Sequence, residues 1–297
     1  MPKKVLLQLD CDPQPSTFDA IVAVDAGADV LLRHGGVTPA NVTSLVHGAM
    51  FTRGGADLAS TAIFVGGSDV AAAEAVAQTV RSTFFGPVRV GVLLDPSGAN
   101  TTAAAAVVAA GRHVPLAAGC RAVVLGGTGP VGQRVTRLLA GKAVHVAVAS
   151  RSLGRAHAVV RRLVETSGVP KSRLEAVEHA GGFAADTTVG RAIAAADLIV
   201  AAGAAGATML DAAGLRAAVR VRVLIDLNAV PPAGIEGVAA GDKAVAVGSA
   251  VAYGPLGVGG TKMKIHRAAV ARIFLAPPAY LDAEDLLAIG EQIEAAC

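Results

Sequence analysis

The fold is decided by one eleven-residue stretch, Val123-Val124-Leu125-Gly126-Gly127-Thr128-Gly129-Pro130-Val131-Gly132-Gln133. Its apolar start is typical of a buried strand, and Gly127, Gly129 and Gly132 follow with the spacing G-x-G-x-x-G. In this pattern the first glycine permits a tight turn, the second lets the backbone approach a pyrophosphate, and the third lets helix and strand pack closely. The stretch therefore predicts a strand, a turn and a helix N-terminus that binds the phosphates of a dinucleotide.

The turn is expected to contact the cofactor directly. The predicted contacts are Gly127, Thr128, Gly129, Pro130, Val131 and Gly132. The alternative is a purely structural turn, since the chain contains 35 glycines. A strand before the motif, a helix after it and a second strand within about 30 residues favour the binding site.

The choice of cofactor is read at the end of the second strand. An NAD site usually has an Asp or Glu about 20 residues after the turn, where it binds the ribose hydroxyls. This chain instead has Ser150 and Arg151, with Arg155 one helical turn later. A serine hydroxyl and guanidinium groups bind a 2′-phosphate that a carboxylate would repel, so NADP is predicted. The alternative is that both arginines are solvated residues at a helix start.

Two later loops are expected to complete the cofactor site, because ligands of open α/β sheets lie outside the carboxyl ends of the strands. In the loop over 201–206, Ala202 and Gly203 are small enough to let the ribose or nicotinamide approach. In the other loop, Asn228 has an amide that can bond the nicotinamide carboxamide. The alternative is that both loops are ordinary connections rich in Gly and Pro.

Short β-rich runs alternate with alanine-rich helical runs along the chain, which is typical of an α/β fold with mostly parallel sheets. We predict a Rossmann-type parallel-sheet domain over 113–261 and a second α/β domain, for the substrate, over 1–112. Residues 262–297 are expected to pack back onto the domain over 1–112, and a cleft is expected to separate the two domains. Within 1–112, the expected strands are Lys4–Leu9, Ala62–Val65 and Val88–Leu94, and the expected helices are Ser16–Ala26, Pro39–Met50, Asp69–Phe84 and Gly98–Gly111.

Some local boundaries follow from helix-capping residues. Ser16 or Thr17, Thr38 and Ser68 are the predicted N-caps, with Pro39 at a first helical position. Further on, a strand over Ala244–Val247 is expected to lead into a glycine-rich loop through Gly260, because glycine clusters interrupt regular structure.

Composition excludes several classes of protein. Charged residues make up 16% of the chain and the net charge of +3 includes no long basic block, so a nucleic-acid partner is not expected. No run of about 20 apolar residues is present, so we expect no membrane span. Cys11, Cys120 and Cys297 are widely separated and lack CxxC spacing, so neither a disulfide framework nor a metal is expected, and a reducing cytoplasm is the expected location. The low surface charge favours a homo-oligomer.

Several blocks outside the turn add a family resemblance. They are Ser16-Thr17-Phe18-Asp19, Phe51-Thr52-Arg53-Gly54-Gly55, Asp95-Pro96-Ser97-Gly98-Ala99-Asn100-Thr101-Thr102, Asn228-Ala229-Val230-Pro231-Pro232 and Leu256-Gly257-Val258-Gly259-Gly260-Thr261-Lys262-Met263-Lys264. Together with the turn, they resemble the bacterial NADP-dependent methylene-tetrahydromethanopterin dehydrogenases of methylotrophs. The resemblance covers nearly the full chain.

The resemblance implies an activity: hydride transfer from the one-carbon bridge of methylene-tetrahydromethanopterin to NADP, giving the methenyl cation during formaldehyde oxidation. The implied partner is therefore a tetrahydromethanopterin-type carrier. The bridge carbon lies between two nitrogens whose lone pairs stabilise the cation, so the protein mainly has to position two large ligands.

The resemblance also implies site residues. It places Asp19 at the pterin site, where a carboxylate can stabilise the cation, and Lys262 matches the family's active-site lysine. Because a lysine charge beside the cation would oppose the reaction, Lys262 is assigned to positioning. Asn100, Thr101 and Thr102 contact the pterin or cap the connecting helix.

Several alternatives stay open at this point. Asp19 is alternatively a first-turn acid that complements a helix dipole. Lys262 is alternatively solvent-facing, with Lys264 as the competing candidate. The rival activities are a methylene-tetrahydrofolate dehydrogenase and a non-catalytic NADP- or pterin-binding protein. A cyclohydrolase is not expected, because neither Tyr253 nor Tyr280 begins a Tyr-x-x-x-Lys motif.

Overall fold

The computed structural model of the chain describes residues 2–204 and 206–296, so Ala205 of the loop over 201–206 and the third cysteine, Cys297, lie outside the described residues. The chain divides into two compact units, Met1–Thr101 with Met263–Cys297 and Thr102–Lys262. Each unit is an α/β fold built on its own sheet.

The strands and helices are numbered along the chain. The strands are β1 Val5–Asp10, β2 Val30–His34, β3 Thr61–Gly66, β4 Gly91–Leu94, β5 Arg121–Leu125, β6 His145–Ser150, β7 Leu174–Glu178, β8 Leu198–Ala201, β9 Val223–Asp226, β10 Lys243–Val247, β11 Ala250–Tyr253 and β12 Tyr280–Leu281. The α-helices are α1 Thr17–Asp25, α2 Val42–Phe51, α3 Val70–Thr83, α4 Ala99–Gly111, α5 Pro130–Gly141, α6 Leu153–Ser167, α7 Thr188–Ala194, α8 Ala212–Ala217, α9 Pro255–Arg272 and α10 Ala283–Ala295.

The first unit contains a five-stranded sheet in the order β12-β4-β3-β1-β2, with every pair parallel. Its central strand β3 is buried along its whole length, as expected for a parallel sheet covered on both faces. Strand β2 was not predicted. It lies at the sheet edge, none of its five residues is buried, and its apolar start Val30–Leu32 is followed by Arg33 and His34.

Two predicted caps in this unit are wrong. Helix α2 begins at Val42 and not at Pro39, because the Asn41 side chain accepts from the Thr38 amide and donates to the Gly36 carbonyl, which holds the intervening residues in a turn. Helix α3 is capped by Asp69 and not by Ser68. Ser68 instead bonds the Asp12 carboxylate through both its amide and its hydroxyl.

The second unit contains a seven-stranded sheet in the order β10-β11-β9-β8-β5-β6-β7. All neighbours are parallel except β10 and β11, which form an antiparallel hairpin. The chain runs outward from β5 through β6 to β7 and then returns to β8 on the other side of β5. This reversal creates the switch point at which Rossmann folds bind their ligand, between the carboxyl ends of β5 and β8. The predicted α/β class with a Rossmann-type domain is confirmed.

The glycine-rich loop predicted through Gly260 is wrong. After the β10–β11 hairpin, α9 begins at Pro255 and includes Gly257, Gly259 and Gly260. A Cβ atom on Gly257 would overlap the carbonyl group of Asp242, so this glycine lets the helix start pack on the chain before the hairpin. Glycine here permits close packing and does not break the helix.

The described residues also contain few features that point to other classes of protein. None of their helices is both long and apolar enough to cross a membrane. Within the same residues, no group of three or more His, Cys, Asp or Glu side chains is arranged to hold a metal ion. Cys11 and Cys120 are free thiols.

Candidate active site

The G-x-G-x-x-G turn joins β5 to α5, and its tightest point is Gly126. Gly126 has a φ of +71°, in the left-handed region that favours glycine, and its carbonyl accepts from the Gly129 amide at 3.0 Å. The tight-turn role predicted for Gly127 therefore belongs to Gly126. Gly127 instead packs against β6, because a Cβ on it would lie 2.8 Å from Val148 Cγ1. Gly132 has the packing role predicted for the third glycine, since its Cβ would lie 2.6 Å from the Gly126 carbonyl oxygen.

The start of α5 is suited to an anion. Gly129 is the N-cap and Pro130 is the first helical residue, while the first turn contains no acidic residue. The first amides of a helix have no partner within it, and their partial positive charge attracts phosphate. Thr128, Gly129 and Val131 are partly exposed and Pro130 is exposed, whereas Gly127 and Gly132 are buried. The four accessible residues thus form a surface that a pyrophosphate can reach.

The end of β6 lies beside this turn. Ser150 is only 7% exposed, and its hydroxyl lies 3.4 Å from the Thr128 hydroxyl and accepts from the Ser152 amide at 3.3 Å. Arg151 and Arg155 are exposed at the start of α6, whose N-cap is Ser152. The structure therefore brings Ser150 beside the turn and leaves Arg151 and Arg155 exposed at the start of the next helix.

The loop after β8 contacts the turn itself. A Cβ on Gly126 would overlap the backbone of Gly203, and a Cβ on Gly203 would overlap the Met209 side chain. The Ala202 amide donates to the Leu125 carbonyl at 2.8 Å. The small residues predicted to admit a ligand thus first allow the two loops to touch each other.

The loop after β9 is held by two side chains. Asn228 is 8% exposed; its amide nitrogen donates to the Pro232 carbonyl at 2.9 Å and its amide oxygen accepts from the Val230 amide at 3.1 Å. The Asp226 carboxylate accepts from the Asn228 and Ile235 amides. Burial raises the pKa of Asp226, although backbone amide bonds act in the opposite direction. Asn228 therefore organises its own loop at the carboxyl end of the sheet.

In the first unit, Asp19 occupies the first turn of α1 and is partly exposed. A chain of hydrogen bonds sets its position. The buried Asp10 carboxylate accepts from the Ser16 amide at 2.9 Å, and the Ser16 hydroxyl accepts from the Asp19 amide at 3.2 Å. The end of β1 therefore determines where α1 begins.

The three predicted pterin contacts after β4 differ in exposure. Asp95 is fully buried, and it accepts from the amides of Asn100 and Thr101 and, at 2.6 Å, from the Thr101 hydroxyl. The side-chain amide of Asn100 donates to the Leu94 carbonyl and to the Asp282 carboxylate. The buried side chains of Asn100 and Thr101 thus hold the β4–α4 connection. Of the three predicted contacts, only Thr102 has exposed surface. The substrate contact predicted for them stays a prediction.

The two candidate lysines on α9 also differ. Lys262 is partly buried, whereas Lys264 is exposed. A positioning role requires a side chain held by its surroundings, so this difference favours Lys262 over its competitor.

Sequence reasoning missed one recurring feature. Asp10 and Asp226 end strands β1 and β9, and Asp95 directly follows β4. All three are buried and accept hydrogen bonds from backbone amides of the segment that follows. The signal was available, since each is an aspartate directly after an apolar run. These three residues shape the loops at the carboxyl ends of both sheets.

Two solved structures resemble the whole chain. Quinate dehydrogenase from Corynebacterium glutamicum, in complex with NAD, has 18% identity and a TM-score of 0.50, covering 99% of this chain and 100% of that one. The 5-ketofructose reductase of Gluconobacter sp. has 14% identity and a TM-score of 0.50, covering 99% of each chain. At these identities the likeness shows the fold alone. Fold and turn together define a two-unit α/β protein with a Rossmann-type dinucleotide-binding fold.

Sequence comparisons narrow this class. The family model described as "Methylene-tetrahydromethanopterin dehydrogenase, N-terminal" matches residues 17–97. The "Bifunctional protein MdtA" of Methylorubrum extorquens is 41% identical over 99% of this chain and 100% of its own length. The NAD(P)-dependent methylenetetrahydromethanopterin dehydrogenase of the same organism is 32% identical over 88% of this chain and 89% of its own. The chain belongs to the methylene-tetrahydromethanopterin dehydrogenase family.

Proposed function

We propose that this protein oxidises methylene-tetrahydromethanopterin to methenyl-tetrahydromethanopterin, with NADP as the hydride acceptor. The observation that carries the proposal is the combination, in one chain, of a complete dinucleotide turn and the family's N-terminal segment over residues 17–97. We assign the cofactor to the second unit, close to the domain predicted over 113–261. Of the residues assigned to the pterin, Asp19 lies in the first unit, whereas Thr102 and Lys262 are the two end residues of the second.

The cofactor assignment rests on the shape and charge of the second unit. The backbone at Gly129 leaves the space that a pyrophosphate needs, and the amides at the start of α5 supply its hydrogen bonds. Strand β6 ends at Ser150 and is followed by Arg151, with no carboxylate at either position, so we assign the 2′-phosphate to the guanidinium groups of Arg151 and Arg155. The loops with Ala202, Gly203 and Asn228 border the nicotinamide end. When bound, NADP supplies the hydride acceptor.

The residues assigned to the pterin stabilise charge and orientation. The bridge carbon loses a hydride with its electron pair, and the two flanking nitrogens share the positive charge that remains. The Asp19 carboxylate lowers the energy of that cation through space. The ammonium group of Lys262 binds a polar edge of the substrate away from the bridge, because a second positive charge beside the cation would raise its energy. Thr102 offers a hydroxyl on the same unit as Lys262.

The test is an initial-rate assay of the purified protein with methylene-tetrahydromethanopterin or methylene-tetrahydrofolate, each with NADP or NAD. Formation of reduced nicotinamide is followed at 340 nm. We expect the highest kcat/KM with the methanopterin carrier and NADP. A higher value with the folate carrier would replace the substrate assignment, and no turnover in any of the four combinations would leave a binding protein in place of an enzyme.

We also propose that the protein is a cytoplasmic homo-oligomer. Helix α1 supports self-association, because Phe18, Ile21 and Val24 are each more than half exposed along it. Light scattering after size-exclusion chromatography measures the mass directly. A mass equal to that of the single 29.4 kDa chain would overturn the oligomer.

A further inference from the structure

The net charge of +3 is the sum of two units whose net charges have opposite signs. The second unit, Thr102–Lys262, contains 17 Lys and Arg against 9 Asp and Glu, a net charge of +8. The remaining residues contain 9 Lys and Arg against 14 Asp and Glu, a net charge of −5. The positive charge thus lies in the unit that is assigned to the anionic dinucleotide.

Much of the charge near the proposed 2′-phosphate site belongs to α6. Arg155 and Arg162 are seven residues apart, which places them on one face of the helix, and Arg151 directly precedes that face. We call these three residues the α6 basic face. All three side chains are exposed, and Glu165 is the sole acidic residue of the helix. The face therefore presents its positive charge to solvent.

Arg162 is too far along the helix to share in the contact. At 1.5 Å per residue it lies about 16 Å along the axis from the level of Arg151, beyond the reach of a hydrogen bond to a phosphate held there. Its charge nevertheless acts over that distance at low salt, because the Debye length is about 30 Å at 0.01 M ionic strength. A role for Arg162 is thus electrostatic and does not depend on contact.

We propose that the α6 basic face steers NADP toward its site and so favours it over NAD during association, before any contact forms. The inference rests on the proposed function, which places the 2′-phosphate at Arg151 and Arg155. That phosphate adds up to two negative charges to the ligand, so the same field attracts NADP more strongly than NAD. Steering of this kind raises association rates by about 10- to 1,000-fold in charged clefts.

The expected size of the effect follows from Coulomb's law. Replacing Arg162 by Glu changes the charge by two units at about 16 Å from the level of Arg151, where the 2′-phosphate is assigned. With the dielectric constant of water and the Debye lengths for low and physiological salt, the association rate falls about tenfold for NADPH and about threefold for NADH at 0.01 M. At 0.15 M both losses shrink to less than about twofold. The steering thus predicts a loss of association rate that is larger for NADPH than for NADH and that nearly disappears at physiological salt.

The experiment measures NADPH and NADH binding to the full chain by stopped-flow nicotinamide fluorescence at both ionic strengths. The variants are Arg162→Glu and the charge-conserving control Arg162→Lys, with thermal unfolding to confirm that both are folded. We expect Arg162→Glu to show the predicted losses in association rate with dissociation rates within about twofold of wild type, and Arg162→Lys to match wild type.

Three outcomes would overturn the steering. They are an unchanged association rate for Arg162→Glu at 0.01 M, equal losses for NADPH and NADH, or an equal loss in Arg162→Lys. If the wild-type protein binds and reduces NADP while the variants give one of these outcomes, the steering is ruled out and the proposed function stands. If the wild-type protein does not bind NADPH, both the steering and the proposed function are ruled out.

Discussion

Gly126 and Gly203 meet backbone to backbone where β5 and β8 end, at the switch point of the second sheet. A side chain on Gly126 would overlap the backbone of Gly203. The phosphate-binding turn and the loop after β8 therefore form one packed structure, and the geometry of the turn depends on a residue 77 positions away.

This contact makes Gly126 important for the stability of the fold. We expect Gly126→Ala to lower the free energy of unfolding by more than about 2 kcal/mol, because the left-handed backbone costs about 1–2 kcal/mol for alanine and the overlap adds to it. Thermal and urea unfolding of the purified variant measure the loss. Wild-type stability in this variant would contradict the packing described here.

Gly129→Ala is the matched variant on the same turn. Its Cβ would lie 3.4 Å from the Gly126 carbonyl oxygen and 3.5 Å from the Ala202 carbonyl oxygen, and its φ of −75° suits alanine. We expect the free energy of unfolding to change by less than about 1 kcal/mol, while the Kd for NADP rises because the added methyl group occupies pyrophosphate space. Titration calorimetry with NADP separates the two effects. Unchanged NADP affinity would remove the turn from the proposed site.

Cofactor preference is expected to depend on Arg155. Removing a charged hydrogen bond costs about 1.5–3 kcal/mol, so Arg155→Ser should lower kcat/KM about 10- to 150-fold with NADP and little with NAD. Arg161→Ser, an exposed position on the same helix, is the control at 0.15 M salt. Equal losses with both cofactors would show that Arg155 does not contact the 2′-phosphate.

The two lysines of α9 allow a direct comparison. We expect Lys262→Ala to lower kcat/KM for the pterin at least about tenfold, because a charged contact is lost, and the exposed Lys264→Ala to stay within about twofold of wild type. Steady-state kinetics with each variant, together with Asp19→Ala, provide the check. A reversed order would assign the substrate contact to Lys264, and normal rates in all three variants would remove the proposed pterin site.

Cys11 is expected to react slowly with alkylating agents. Burial, together with the nearby carboxylates of Asp10, Asp12 and Asp69, raises the pKa of its thiol to about 11. The reactive thiolate therefore keeps increasing with pH, about 100-fold between pH 7.5 and 9.5, whereas an ordinary thiol with a pKa near 8.5 gains only about tenfold. Iodoacetamide labelling with peptide mass spectrometry measures the rate at this residue. A tenfold rise would show that its pKa is unperturbed.

Much of the architecture was predictable because the relevant interactions are local. The apolar run Val123–Leu125 and the glycine spacing that follows it predict β5, the turn and α5, and all three are present. Ser16 caps α1 as expected, since its hydroxyl accepts an amide three residues away. Strand β2 also begins with three apolar residues, Val30–Leu32, but it is a strand because it pairs with β1 at the sheet edge, and that tertiary contact was missed.

The amino-acid sequence by itself determined the α/β class, the dinucleotide turn and the family, because periodicity, residue spacing and shared motifs are properties of neighbouring residues. Tertiary structure alone decided the specific roles within that frame. It showed that Gly126 makes the tight turn, that Gly257 packs a helix start on Asp242, and that Asn228 holds its own loop. These roles arise from atoms that approach one another only after strands and loops have packed, and the spacing of residues along the chain does not contain that information.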